Sequence, residues 1–289
     1  MATTIIRTVE EMRQTVRRWR CKDGSIAVVP TMGALHEGHL SLVRVALSHA
    51  DWVVVTVFVN PTQFNNAEDL IAYPRTEESD LAKLTTVGAH VLYAPSVDVV
   101  YPKGFATTVH VGNVSHGLCG AHRPGHFDGV ATVVTKLFLQ IGADIALFGE
   151  KDFQQLHVVR RLARDLDIPI QIIPCATIRE PDGLAMSSRN RRLSTPERQI
   201  ASHLPAVLFH AAEQLRQSLP THEVIAEAKR RLEEAGFDGI DYVDLRSETD
   251  LSPLDTLDRP ARLLAAASLP SARLIDNVRV APPAWKQRI

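Results

Sequence analysis

Five short runs dense in valine and isoleucine alternate with stretches of helical spacing, and that alternation constrains the chain more than any other feature. IAVVP (26–30), DWVVVTVFV (51–59), HVLYAP (90–95), DIALFG (144–149) and IQIIPC (170–175) have the β-branched content of buried strands. Between them, HLSLVRVALSHA (39–50), SDLAKLTTVG (79–88) and FQQLHVVRRLARDL (153–166) place apolar residues at helical intervals. VATVVTKLFLQIG (130–142) fits either period, and its length favours a helix. Strands that are apolar on both faces must be covered on both faces, and parallel strands joined through helices cross over right-handed. These conditions describe an α/β protein with a doubly wound parallel sheet.

After about residue 178 the texture changes. IREPDGLAMSSRNRRLSTPER is polar and rich in turn formers, which reads as a functional loop or hinge. Helical patterns follow at 195–218 and 221–236, the first opened by Thr195-Pro196 as N-cap and first-turn pair. Short strands are expected in GIDYVDLRS, RLLAAAS and RLIDNVRV. The boundary falls near Thr177, giving a domain over 1–177 and a smaller α+β domain over 178–289.

The 32 basic and 33 acidic residues nearly cancel, so charge gives no reason to expect nucleic acid or an anionic membrane as partner. No apolar run is long enough to span a bilayer, and the first twenty residues lack a signal-peptide pattern. Three scattered cysteines do not make a disulfide framework. A reduced, cytoplasmic protein is expected.

Residues 30–39, PTMGALHEGH, link the first strand to a helix. Ligands of open α/β sheets bind at such strand ends, where a helix N-terminus attracts anions. Gly33 and Gly38 permit close backbone approach, and His36 and His39 point the same way if the helix begins near Leu35. Two imidazoles there suit phosphate oxygens that gain charge as pyrophosphate leaves. The alternatives are two ordinary surface histidines, or a zinc site that lacks a third ligand.

Other motifs sit at comparable positions. FVNPTQF (58–64) leaves a strand through a turn and presents Gln63, whose amide can both donate to a carboxylate and accept from a hydroxyl. GEKDFQQ (149–155) leaves another strand; Lys151 offers a point charge to phosphate, Asp152 caps the helix or assists a magnesium-bound nucleotide, and Gln155 lies on the first turn. MSSRN (186–190) supplies the hydroxyls of Ser187 and Ser188 and the guanidinium of Arg189. HGLCGAHRPGHFDG (116–129) resembles a zinc motif superficially, but its glycines and Pro124 read as a flexible loop leading to a helix from Val130. No metal is expected there.

HEGH resembles the HxGH signature shared by nucleotidyltransferases and class I aminoacyl-tRNA synthetases. Together with VVPTMGALHEGHLSLV, VFVNPTQFNNAEDLIAYPRT, GLCGAHRPGHFDGVATVV, LFGEKDFQQL, DGLAMSSRNRRLS and RLIDN, it makes the chain similar nearly end to end to the pantothenate synthetase (pantoate–β-alanine ligase) family. The resemblance implies a Rossmann-like domain and a C-terminal lid domain carrying MSSRN. It implies ATP-dependent condensation of (R)-pantoate with β-alanine, through an enzyme-bound pantoyl adenylate, to pantothenate, AMP and pyrophosphate, on the way to coenzyme A.

By the same resemblance ATP is held by Met32, Gly33, Ala34, Leu35, His36, Glu37, Gly38 and His39. It is also held by Gly149, Glu150, Lys151 and Asp152, and by Ile178, Met186, Ser187, Ser188 and Arg189. His36, His39, Lys151, Ser187, Ser188 and Arg189 are the catalytic set, with His39 as proton donor. Gln63 contacts pantoate and β-alanine, Gln155 contacts pantoate, and Tyr73 either joins them or packs. Mg²⁺ is expected with the ATP and without a protein cage, and a homodimer through the larger domain is implied. The departure of MSSRN from KMSKS argues against a tRNA synthetase. An adenylyltransferase acting on a phosphate acceptor and a non-catalytic nucleotide sensor are the other rivals.

Overall fold

The valine-rich runs become neighbouring strands of one sheet in the computed structural model, which describes residues 2–283. The outermost positions of the two expected domains, 1 and 284–289, lie outside the described residues. In chain order the first elements are β1 (Thr4–Ile6), α1 (Val9–Arg20), β2 (Ile26–Thr31), α2 (Glu37–Leu47), β3 (Trp52–Val57), α3 (Ala67–Ala72) and α4 (Glu77–Val87). Then come β4 (Val91–Tyr93), α5 (Val97–Val100), α6 (Leu118–His122), α7 (His126–Ile141), β5 (Ile145–Gly149), α8 (Phe153–Asp165) and β6 (Gln171–Cys175).

The six strands pair in the order β1-β4-β3-β2-β5-β6, parallel throughout. The expected doubly wound sheet is present, with β1 and α1 in addition. β1 is three residues long, too short for a periodicity signal. α1 opens with a capping box between Thr8 and Glu11 and buries Met12, Thr15 and Trp19.

Strand order positions the site. From β2 the chain moves to β3 and β4 on one side, and β5 later pairs on the other side of β2. The switch point therefore lies between β2 and β5. Their pairing covers only Ala27↔Ile145 and Val28↔Ala146, whereas β5 stays paired with β6 as far as Gly149. Pro30, with no N–H to donate, stands where that pairing has ended. Under the sheet lie Val29, Leu35, Val43, Val55, Leu92 and Leu147, all fully buried. Each such side chain contributes about 1.5–3 kcal/mol of hydrophobic stabilisation.

The segment expected as a flexible loop before Val130 is ordered: it forms α6 and the first turn of α7, which starts at His126. Gly125, at φ +77°, makes the left-handed turn into that helix.

Compact units divide the chain after Thr177, and the second unit, from Ile178 onward, also takes Gly117–His122 and Lys151–Gln154. Side chains of the second unit hold these two short segments: Gln154 accepts the amide of Cys119 and Asn277 donates to the carbonyl of Lys151. The second unit contains α9 (Thr195–Ala201), α10 (His203–Arg216), α11 (Thr221–Ala235) and the antiparallel sheet β7 (Gly239–Ser247), β8 (Ala261–Leu269), β9 (Ala272–Val280). Its core gathers Leu204, Leu208, Leu232, Val243 and Leu263.

The helix expected over 195–218 is two helices. Pro205 cannot donate to the carbonyl of Ala201, so the ladder breaks and the chain turns at Ser202. The N-cap of α9 is Ser194, not Thr195, because Ser194 and Glu197 form a capping box. Among the described residues no helix is long and apolar enough to cross a membrane.

Candidate active site

At the carboxyl end of β2 the chain makes a tight turn through Gly33 (φ +85°) and Ala34 (φ +50°) before entering α2. A side chain at Gly33 would bring its Cβ to 3.0 Å from Val57 and 3.2 Å from the Asp80 carboxylate, so the positive φ calls for glycine and the tight space favours it. The helix starts at Glu37 rather than near Leu35, and His36 is its N-cap. The two imidazoles still face one another, with ring centroids 4.1 Å apart. A capping box explains this: His36 Nδ1 accepts the Gly38 amide at 3.1 Å, and His39 Nδ1 accepts the His36 amide at 3.4 Å.

With Nδ1 engaged as an acceptor, each neutral ring carries its proton on Nε2. Two N–H donors thus stand at a helix N-terminus, where a partly exposed anion gains about 0.3–1 kcal/mol from the helix dipole. Glu37 is exposed and its carboxylate pairs with Arg44 on the next turns.

Asp80, which no motif in the sequence marks, holds this turn in place. Its carboxylate is fully buried and accepts the amides of Ala34 at 2.9 Å and Leu35 at 2.8 Å, with the Thr76 hydroxyl at 3.1 Å. Lys83 lies 4.0 Å from Asp80 and donates to the Leu35 carbonyl at 2.8 Å. A hydrogen bond to a charged group contributes about 1.5–3 kcal/mol. The one available signal in the sequence is a carboxylate four residues before Leu84 on the inward face of α4.

Gln63 stands at the carboxyl end of β3, on a 3₁₀ turn, Pro61–Gln63, capped by Asn60. Asn60 donates to the Gln63 side-chain oxygen at 3.0 Å, and the Gln63 amide points at the Met32 sulfur at 3.1 Å. Two residues of the HRPGHFDG stretch fix its backbone: His126 Nδ1 and Arg123 meet the Gln63 carbonyl at 2.9 and 3.1 Å. Gly129 lets α7 press against this turn, since a Cβ there would lie 2.4 Å from the Thr62 carbonyl oxygen. Tyr73 is buried with its ring edge-on to Phe64 at 5.7 Å. Gln155 is half-buried on the first turn of α8.

Gly149 ends β5 and Glu150 follows it. Burial, with a contribution from the Glu150 carboxylate, pushes the Cys175 thiol up to about 11, so it stays protonated at neutral pH.

In the second unit, Lys151 is largely buried and its ammonium lies 3.8 Å from Asp152. Ile178 and Met186, expected to meet the nucleotide, are joined by a 2.9 Å bond from the Met186 amide to the Ile178 carbonyl. Arg179 and Ala185 pair antiparallel just inside them. The stretch expected as a loop or hinge is thus a tight hairpin followed by a 3₁₀ turn, Ser188–Arg192. Ser187 caps that turn by accepting the Arg189 amide at 3.2 Å, and Ser188 is buried. Short-range bonds from Asn190 to Glu180 and Ala185 hold the hairpin, which polarity alone did not foretell. No group of three or more His, Cys, Asp or Glu among the described residues is placed to hold a metal ion.

Residues 4–279 match the family model described as pantoate-beta-alanine ligase. The chain is 62% identical to the pantothenate synthetase of Chelativorans sp. (strain BNC1), over 98% of this chain and all of that one. The crystal structure of pantothenate synthetase from Thermus thermophilus superposes with a TM-score of 0.89 at 44% identity, covering 97% of this chain and 100% of the other. A Francisella tularensis pantoate-beta-alanine ligase, crystallised with β,γ-ATP and β-alanine, gives a TM-score of 0.82 at 33% identity, covering 96% and 97%.

Proposed function

The chain belongs to the pantoate–β-alanine ligase family, and we propose from that membership that it condenses pantoate with β-alanine, driven by ATP, to make pantothenate. A carboxylate resists attack by an amine at neutral pH, so it must first acquire a good leaving group. A carboxylate oxygen of pantoate attacks the α-phosphorus of ATP, the bond to the β-phosphate oxygen breaks, and pyrophosphate leaves. The amine of β-alanine then attacks the acyl carbon of the pantoyl adenylate. The carbon–oxygen bond to AMP breaks, and the amine gives up its extra proton to solvent.

His36 and His39 carry the first step. The facing imidazoles at the head of α2, each with Nδ1 turned to a backbone amide, are the observation that supports the reading: through Nε2 they meet the charge that builds on the departing pyrophosphate. His39 gives that group a hydrogen bond through Nε2–H rather than a proton, because a neutral imidazole whose Nδ1 accepts the His36 amide is too weak an acid to transfer one. Removing one such donor costs about 10²–10³ in rate. Met32–Leu35 and Gly149–Asp152 cradle the nucleotide, with Lys151 as a point charge on its phosphates. Ile178 and Met186 contact adenine through backbone and apolar surface, and Ser187, Ser188 and Arg189 take phosphate oxygens. Gln63 and Gln155 orient pantoate, and Gln63 also the β-alanine, while Tyr73 packs beside them.

Magnesium would accompany ATP and offset the charge of its phosphates, with Asp152 the side chain that would assist the magnesium-bound nucleotide. We place the enzyme in the cytoplasm as a homodimer on the strength of family membership.

The test is substrate dependence. ATP with pantoate and no β-alanine should support isotope exchange between ATP and pyrophosphate, and added β-alanine should release AMP and pantothenate in equal amounts. Transfer of AMP to a phosphate acceptor, with no response to β-alanine, would instead identify an adenylyltransferase.

A further inference from the structure

Asp276 and Asn277, in the RLIDN stretch, are adjacent on β9 and are 2% and 3% exposed. Their side chains serve two different segments of the second unit. The Asp276 carboxylate accepts both arms of the Arg179 guanidinium, at 2.7 and 2.9 Å, and the Asn277 amide at 2.7 Å. Arg179 also donates to the carbonyls of Gly183 and Asn277, at 2.8 and 3.2 Å, and so ties the hairpin between Ile178 and Met186 to the strand. Asn277 donates through Nδ2 to the Lys151 carbonyl at 3.0 Å and accepts through Oδ1 from Arg262 at 3.1 Å. The Arg262 guanidinium lies 4.4 Å over the Phe153 ring, two residues after Lys151.

Packing alone does not call for this chemistry. Burying a carboxylate is costly unless it is paired, and apolar residues of similar size often stabilise a core as well or better. The polar pair does what apolar residues cannot: it fixes the backbone at two points well separated in the sequence, at Lys151 and at Ile178–Met186.

We propose that Asp276 and Asn277 are a positioning pair. They register the Lys151 segment and the hairpin leading to Ser187 against a single strand, so that both present their nucleotide-facing groups as one preorganised body. The proposal rests on the reading above that Lys151 meets the phosphates.

Asn277→Asp keeps the size and the acceptor for Arg262 and removes the donor to Lys151; it also adds a buried carboxylate beside Asp276, which Asn277→Ala does not. Pantoate-dependent exchange between ATP and pyrophosphate should fall about 10-fold or more, the scale expected when a reacting group is misplaced by a fraction of an ångström. Conversion of supplied pantoyl adenylate and β-alanine to pantothenate should stay near the parent rate. In a Lys151→Ala background the same substitution should change the residual exchange by less than about twofold, since effects routed through one residue do not add. Asn277→Ala repeats the comparison if the aspartate variant does not fold.

Parent-level exchange in a folded Asn277 variant overturns the proposal, as does an equal loss with and without Lys151. If Lys151→Ala alone leaves exchange intact, the role given to Lys151 falls first and the positioning role falls with it.

Discussion

The carboxylate of Asp80 accepts the backbone amide of Leu35 at 2.8 Å, across 45 positions of sequence. One buried acid thereby sets the conformation of the turn that delivers both imidazoles. Asp80→Asn keeps the shape, removes the charge and turns one acceptor into a donor facing one of the two amides. The variant should lose about 1–3 kcal/mol of stability, the cost of a buried group left unsatisfied. Exchange should fall further than stability explains, by about 10-fold or more, because the turn is misplaced. Thermal unfolding and exchange measured on the same preparation separate the two effects.

Gly129→Ala probes the turn carrying Gln63. The added methyl would meet the backbone of Thr62 and Gln63 at 2.4–2.8 Å, so main chain must move. Overpacking of this kind costs about 1–3 kcal/mol. Because the displaced segment is the one assigned to pantoate, KM for pantoate should rise while KM for ATP changes little. Steady-state kinetics with each substrate varied in turn checks this.

Much of the fold was legible because β-branched runs such as WVVVTV and helix-spaced runs such as FQQLHVVRRLARD each satisfy one period. The turn at Gly33 was legible for a similar reason, since two glycines beside a strand end restrict what the backbone can be doing. Asp80 and Asn277 were not. Each acts on backbone far away in sequence, and nothing local to SDLAKL or RLIDN reveals the amide or carbonyl it will meet. The hairpin ahead of Met186 was read as loose because its residues are polar, yet those same polar groups bond one another and close it. The break before α10 could have been read from Pro205.

Glu197 gives the second unit a pH-dependent tie. Bonds from the Ser194 and Ser271 hydroxyls and amides hold its carboxyl down at about 2. The sign follows from that depression: the unfolded chain binds the proton more tightly, so the contribution is present above about pH 4.5 and is lost as pH falls toward about 2. Glu197→Gln should therefore lower the melting temperature at neutral pH. The gap to the parent should narrow steadily on acidification, and melting curves over a pH series check it.

Thiol chemistry should leave activity alone. Cys21 is exposed, Cys119 and Cys175 are buried, and the Cys175 thiol stays protonated at neutral pH. Iodoacetamide on the folded protein should modify Cys21 first, as read by peptide mass, with exchange activity retained. Early loss of activity tracking Cys119 or Cys175 would contradict this.

The central claim is that the paired imidazoles stabilise the charge that builds on the leaving pyrophosphate, and His39→Ala tests it most directly. The variant should fold, with a melting temperature within a few degrees of the parent, since a capping contact is worth about 1 kcal/mol. Its pantoate-dependent exchange between ATP and pyrophosphate should fall by about 10²-fold or more. A folded His39→Ala protein that exchanges at the parent rate would remove His39 from the chemistry and contradict the account.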